Sequence, residues 1–308
     1  MVFVFGSIIN MRSKSFLLLL ILASTSFSQI SRTFDIEGHR GTRGWMPENT
    51  IPAFEKGLQL GVDTLELDVV VTKDGKLVVS HEPWFSSVIS LDKDGKPIPV
   101  DKQRDYNIYK MTYAEVKQFD VGSIGNKDFP QQQKMKVSKP LLADVFKEID
   151  KYARKNKRTL PRYNIEIKTE PGGDDVFNPK PDVFARIVFD EITNAKMEKN
   201  VIVQSFDVRA LQEMRKLSKD IPLSLLVSNK DGVVKNLERL GFKPEIYSPN
   251  YLLVDADAVT ICHDRLIKII PWTVNEPADL EKMKSFDLDG LITDYPDRAV
   301  KVFRHDSQ

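Results

Sequence analysis

Short runs rich in β-branched residues alternate with helical patterns along most of this chain. The runs are TFDIEGH, TLELDVVVT, KLVVSHE, RYNIEIK, VIVQSF, LSLLV, EIYSP, KIIPWTV and GLITDYP, and composition of this kind predicts strands. Between them lie amphipathic stretches. IPAFEKGLQLG carries Ile51, Phe54, Leu58 and Leu60 toward one side, and LLADVFKEIDKYARK sets Leu141, Leu142, Val145, Phe146 and Ile149 on one helical face,. DVRALQEMRKLS and NEPADLEKMKSF follow the same rule. Strands alternating with helices predict a mostly parallel sheet covered by helices. TLELDVVVT and KLVVSHE are joined by Lys-Asp-Gly, a hairpin turn,, so both cannot be parallel members of one ring. Counting the hairpin once leaves eight units, and the pattern predicts an α/β fold, a closed (β/α)8 TIM barrel. An open doubly wound sheet competes, but the chain has no G-x-G-x-x-G phosphate loop to support it.

One stretch breaks the alternation. After the second strand unit, from about residue 83 to 139, the chain is polar and rich in turns, with TYAEVKQFD as one short helix. That is too long for an ordinary connection and predicts a small subdomain inserted on the barrel rim. The amino terminus is also distinct. Arg12 and Lys14 precede the apolar run SFLLLLILASTSFS, the pattern of a secretory signal peptide. Met11 fits as the true start, cleavage fits near Ser28, and residues 29–308 form the mature chain. A retained amino-terminal anchor is the other reading. The apolar run is too short for a comfortable membrane span, so the expected product is exported, periplasmic or extracellular, with no stable span after cleavage. Cys262 is the only cysteine among 308 residues, which excludes an internal disulfide,. Basic and acidic residues number 45 and 44, so no basic field for nucleic acid exists.

Chemistry gathers at the strand ends. His39 and Arg40 end the first run, Glu66 and Asp68 lie on the second, and His81 ends the hairpin's return arm. Glu166 and Lys168 lie on the next run, Trp272 and Asn275 flank the end of IIPWTV, and Asp294 ends the last run. In a (β/α)8 barrel these ends meet at one mouth. Glu66 and Asp68 are two residues apart, so both face one way and Leu65, Leu67 and Val69 face the other,. Carboxylates turned into a barrel need a cation. With Glu166 they suit a single hard divalent ion, Ca²⁺ or Mg²⁺. His39 and His81 fit an acid–base pair, and Arg40 and Lys168 fit phosphoryl oxygens. Glu48 and Asn49 stand at a helix start, where Asn49 can cap and Glu48 can meet the helix dipole,. Alternatively they support His39 or the metal ligands. His263 and His305 lack such surroundings. A cation, two positive side chains and two histidines suit phosphodiester cleavage.

These residues lie in GHRG…PENT, LELDVVVTKDGKLVVSHE, NIEIK, VQSF, WTVN and GLITDYP. As an ordered set spread over nearly the whole mature chain, they resemble the glycerophosphodiester phosphodiesterase family. The resemblance extends to the insertion, including MTYAEVKQFDVGS. It implies a TIM barrel and metal-dependent hydrolysis of a small-molecule glycerophosphodiester to glycerol 3-phosphate and an alcohol. It further implies His39 as general base, His81 as general acid, Glu66, Asp68 and Glu166 as metal ligands, and Arg40 and Lys168 on the phosphate. The implied nucleophile is the substrate's own glycerol 2-hydroxyl, already held near phosphorus. Arg43, Trp45, Glu82 and the long polar loop KTEPGGDDVFNPKPD depart from the family pattern and bear on the substrate more than on the reaction. Trp45, Trp84, Phe206 and Trp272 can line an apolar wall at the mouth, or, for Trp45 and Trp84, pack the rim. Two further readings are an enzyme for intact lipid, phosphoinositide or teichoic acid, and a non-catalytic barrel binding a phosphorylated ligand. The mainly polar insertion argues against the first, and the intact set of histidines and carboxylates argues against the second. The residues leave the oligomeric state open.

Overall fold

A computed structural model describes residues 1–3 and 34–304. Residues 4–33, which hold the charged and apolar parts of the leader, and His305 lie outside the described residues. In chain order the strands are β1 (Asp35–Gly38), β2 (Thr64–Val71), β3 (Leu77–Val79), β4 (Arg162–Ile167), β5 (Val201–Ser205), β6 (Leu223–Val227), β7 (Ile246–Pro249), β8 (Lys268–Ile269) and β9 (Gly290–Thr293). The α-helices are α1 (Ile51–Leu60), α2 (Tyr113–Val116), α3 (Leu142–Lys155), α4 (Pro181–Asn194), α5 (Val208–Leu217), α6 (Val233–Leu240), α7 (Ala256–Asp264), α8 (Pro277–Lys284) and α9 (Pro296–Arg304).

Eight strands run parallel in the order β8-β7-β6-β5-β4-β2-β1-β9, while β3 pairs antiparallel with β2 outside this path. The ring is nearly closed. Asp289 N–H donates to the Ile269 carbonyl at 3.2 Å, Ile292 N–H to Pro271 at 2.9 Å and Val274 N–H to Ile292 at 2.9 Å, bridging the last gap. This is the TIM barrel the strand count predicts, with the hairpin contributing one ring member.

Alternation along each strand sorts side chains between two layers. Leu65, Leu67, Val69, Ile165, Ile167, Val201 and Val203 face the helices, where they join Phe54, Leu142, Ile149, Phe184 and Leu211 in the main core. The opposite faces fill the barrel and divide it. Ile202, Ile246, Ile270 and Ile292 form an apolar half. Glu37, Glu66, Asp68, Asn164, Glu166 and Gln204 are also buried, from neighbouring strands. Between β3 and α3 the chain gathers a second cluster of its own, in which Phe85, Ile98, Ile108, Val116, Phe119 and Val121 pack on Val70 and Val78 of the hairpin. Only α2 in this segment is α-helical, as the short TYAEVKQFD pattern predicts.

Candidate active site

Strand register builds the acidic cluster. Asp68 of β2 lies opposite Glu166 of β4, and Glu66 lies one inward step below, opposite Asn164. Carboxylate oxygens of Glu66, Asp68 and Glu166 all lie within 4.8 Å of one another. The three residues are 1%, 1% and 6% exposed, so water does little to screen them. Burial, reinforced by the Asp68 charge, raises Glu66 well above the usual carboxylate range. Burial also raises Glu166, with Lys168 opposing. Asp68 moves the other way: burial works against its charge, but His81, Arg40 and Lys168 together hold it low. Asp68 Oδ1 is buried without a hydrogen bond. Three converging hard oxygen donors, one with an unused buried atom, fit a divalent cation. Among the described residues this is the one cluster of acidic or histidine ligands with that geometry.

The first loop is shaped by its glycines. Gly41 takes φ +86°, and a Cβ there would meet the Ala53 backbone at 2.7 Å. At Gly38 a Cβ would meet the Gly41 carbonyl at 2.1 Å. The tight turn presses Arg40 into the site, where its backbone N–H donates to Glu66 Oε2 at 2.8 Å. Arg40 Nη1 donates to Glu48 Oε1 at 2.6 Å, and its Nε lies 3.6 Å from Asp68 Oδ2. Burial disfavours the guanidinium, but Glu48 and Asp68 outweigh it and raise its pKa. Lys168 Nζ donates to Glu166 Oε1 at 2.8 Å and lies 3.8 Å from Asp68.

His39 Nδ1 meets Asp294 Oδ1 at 2.7 Å, and its Nε2 lies 4.0 Å from Glu66 Oε2. Asp294 in turn accepts two hydrogen bonds from Arg43, at 2.9 and 3.0 Å, and one from Asn275 at 2.7 Å. Burial pushes His39 down to about 4, against the pull of the Asp294 carboxylate. An ionised Asp294 therefore accepts the hydrogen bond from Nδ1–H, which leaves Nε2 a lone pair. His81 lies two residues past β3, with Nδ1 2.7 Å from Glu82 Oε1. Although burial opposes its charge, Glu82 is lowered to about 2 by His81. Its loop is held by Ser80, whose hydroxyl donates to the Glu82 carbonyl at 2.6 Å and accepts from Lys139 Nζ at 2.8 Å.

His39, Arg40, Glu66, His81, Glu166 and Trp272 line one cavity of about 170 Å³. The two histidines thus share a space with two carboxylates and the Arg40 guanidinium, His39 on the loop after β1 and His81 just past the hairpin strand β3. Such a space suits in-line transfer at a phosphoryl group, with a proton removed on one side and delivered on the other.

The structure decides between several alternatives. Of the two readings of Asn49 it favours support of an acidic ligand over capping: Thr50 caps α1, accepting from Ala53 N–H. Asn49 instead takes φ +56° and donates from Nδ2 to Asp68 Oδ2 at 2.8 Å. Glu48 serves Arg40 rather than His39. Trp272 commits its indole N–H to the Ser248 carbonyl at 2.9 Å, so it offers the cavity a ring and no donor for phosphate. Trp45 packs edge-on against Tyr295 and donates to Asp297, which makes it rim packing. His263 is outside the cavity lining, as the sequence reading has it, and pairs with Asp289 at 2.9 Å.

Sequence reasoning did not single out Gln204 or Asn164 as site residues. Gln204 donates to Glu66 Oε1 at 2.9 Å and accepts from Asn164 at 3.0 Å, and Asn164 also donates to Glu37 at 2.8 Å. Two-residue alternation from Ile202 to Gln204 is the signal that places Gln204 inside the barrel.

A TIM barrel with acidic metal-type ligands and paired histidines at its mouth defines the class, a phosphoric diester hydrolase. The sequence profile of the Glycerophosphoryl diester phosphodiesterase family matches residues 39–298, and the chain belongs to that family. Its activity is that of a glycerophosphodiester phosphodiesterase. It is 30% identical to the glycerophosphodiester phosphodiesterase of Caldanaerobacter subterraneus subsp. tengcongensis, over 86% of this chain and 96% of that one. It is also 30% identical to the glycerophosphodiester phosphodiesterase of Bacillus altitudinis, over 87% and 97%. A solved Silicibacter pomeroyi chain, named after the same activity, superposes with TM-score 0.77 at 28% identity, over 88% and 93%. An Oleispira antarctica phosphodiesterase, solved in complex with the product sn-glycerol-3-phosphate, shares the fold with TM-score 0.68 at 22% identity, over 87% and 96%.

Proposed function

We propose that this enzyme cleaves glycerophosphodiesters to glycerol 3-phosphate and a free alcohol, with His39 as base and His81 as acid. The observation that carries the reading is the placement of both imidazoles in the one cavity that also holds Glu66 and Glu166. His39 Nε2 takes the proton of the glycerol 2-hydroxyl, which attacks the adjacent phosphorus to give a cyclic phosphate. His81 Nε2 gives a proton to the departing alkoxide. Water then opens the cycle with the roles reversed, His81 removing its proton and His39 returning one to the 2-oxygen. Arg40 meets the phosphoryl oxygens, and Glu48 keeps its guanidinium in place. Trp272 supplies an apolar wall.

Glu66, Asp68 and Glu166 would hold one Ca²⁺ or Mg²⁺, which when bound supplies positive charge to stabilise the phosphoryl oxygens. Asn49 and Gln204 orient two of those ligands. Lys168, tied to Glu166, adds positive charge beside the phosphate. The leader pattern of residues 1–28 supports export, with a mature domain from residue 29 and a rim insertion at about 83–139. No helix among the described residues is long and apolar enough to cross a membrane.

Purified protein supplied with Ca²⁺ or Mg²⁺ should release glycerol 3-phosphate from glycerophosphoethanolamine and glycerophosphocholine. Chelation should stop the release, and His39→Ala should lower it at least about 100-fold, the lower end of what a general base contributes. Release that survives both treatments would overturn the reading. Amino-terminal sequencing of secreted material tests export, and a start other than near Gln29 would revise the cleavage site.

A further inference from the structure

A second groove of about 430 Å³ opens beside the catalytic cavity and shares His81, Glu166 and Phe206 with it. It lies between the start of the insertion and the loop from β4 to α4, the polar loop that departs from the family pattern. Trp84 and Phe177 meet edge-on there, with centroids 5.2 Å apart. Asn107 Nδ2 donates to the Val176 carbonyl at 2.8 Å, and Arg209 clamps Asp174 at 2.7 and 3.1 Å, so the loop is anchored on two sides.

The groove's polar groups favour a cation. Glu82 and Glu170 line it. Asn178 also lines it, is 3% exposed, and its Oδ1 has no hydrogen-bond partner. Lys168 is engaged by Glu166 at 2.8 Å. Aromatic rings, carboxylates and an unfilled buried acceptor are the surroundings an ammonium group needs. Opposing charges are His81 in its proton-donating form, which Glu82 pairs at 2.7 Å, and Arg104, whose guanidinium lies 4.9 Å from the Trp84 ring centroid and 5.9 Å from that of Phe177. Arg104 is exposed, so water screens it.

We propose that this groove receives the leaving alcohol and selects alcohols that carry an ammonium group. The proposal rests on the reading of His81 as the acid, because the group that protonates the leaving oxygen must stand where that alcohol sits. Asn178 accepts from the ammonium, Trp84, Phe177 and Phe206 cover its carbons, and Glu170 balances its charge, Glu82 being paired with His81.

Two measurements on the full-length enzyme test it. Cation-loaded enzyme should hydrolyse glycerophosphoethanolamine with kcat/KM about 10-fold above glycerophosphoglycerol, whose leaving alcohol is neutral. Glu170→Gln and Asn178→Leu should cut that preference several-fold, mainly through KM, and Arg104→Gln should increase it. In the second measurement, ethanolamine alone should perturb tryptophan fluorescence at millimolar concentration where glycerol does not. Asn178→Leu should weaken ethanolamine more than choline, which has no N–H to donate. Glu170 is exposed, so its variant keeps the test valid if changes at Asn178 disturb folding. Equal kcat/KM for both substrates, or variants that slow both alike, would overturn the proposal, as would equal perturbation by ethanolamine and glycerol. Selective ethanolamine binding without any hydrolysis would instead support the groove and sink the catalytic reading.

Discussion

His39 and Asp294 stand 255 positions apart in sequence, yet their side chains meet at 2.7 Å. The carboxylate fixes which imidazole nitrogen faces the substrate, and Arg43 and Asn275 fix the carboxylate. Asp294→Asn keeps size and shape but can hold the wrong tautomer. It should lower kcat about 100-fold or more with little change in KM, as read by steady-state release of glycerol 3-phosphate. A loss under about threefold would remove Asp294 from the catalytic arrangement.

The proposed mechanism has His81 act on the leaving group, so its importance should depend on what leaves. His81→Ala should slow cleavage of glycerophosphoethanolamine by about 100-fold, within the range of general-acid contributions. With p-nitrophenol as the leaving group the loss should shrink to a few-fold, because that oxygen needs little protonation. Equal losses on both substrates would refute the assignment.

Three buried carboxylates repel one another without a counter-ion. Adding Ca²⁺ or Mg²⁺ should therefore raise the melting temperature in proportion to log concentration once the site fills. Asp68→Asn should weaken that response. Calorimetry with and without chelator reads this independently of activity, and an unchanged melting temperature with either ion would argue against the site.

Glu37 lies deep in the barrel, where burial and then the Asp35 charge push its carboxyl up to about 8. The native state thus holds a proton that the unfolded chain, with its carboxyl at the ordinary 4.5, releases. The stability this gives is full below pH 4.5 and is lost as pH rises through 8,. Glu37→Gln mimics the protonated form and keeps an acceptor for Asn164. Its melting temperature should exceed the parent's increasingly from pH 5 to pH 8, and a constant difference across that range would contradict the assignment.

The barrel and the acidic cluster were legible in sequence for one reason. Strand periodicity is local, so Glu66, Asp68 and Glu166 could be placed on inward faces without knowing the loops. Loop paths are not local. Asn49 reads equally as a helix cap or as support for an acidic ligand, and only the positive φ that carries it over to Asp68 decides between them. Trp272 reads as part of the wall at the mouth, and only the structure shows that its indole N–H is spent on Ser248 while the ring still lines the cavity. Asp294 reads as the end of a strand, and its partnership with His39 emerges only when β9 docks beside β1.

That last pairing has a consequence for the order of assembly. β9 lies in register with β1 along all four residues from Asp35 to Gly38, and Asp294 follows directly after. A chain synthesised only as far as Leu288 already contains both histidines, Arg40 and every acidic ligand. It lacks the strand that shields β1 and the carboxylate that aims the base. Under the proposed mechanism, the docking event that seals the ring also sets the carboxylate against the base, so closure of the barrel and completion of the site are one step.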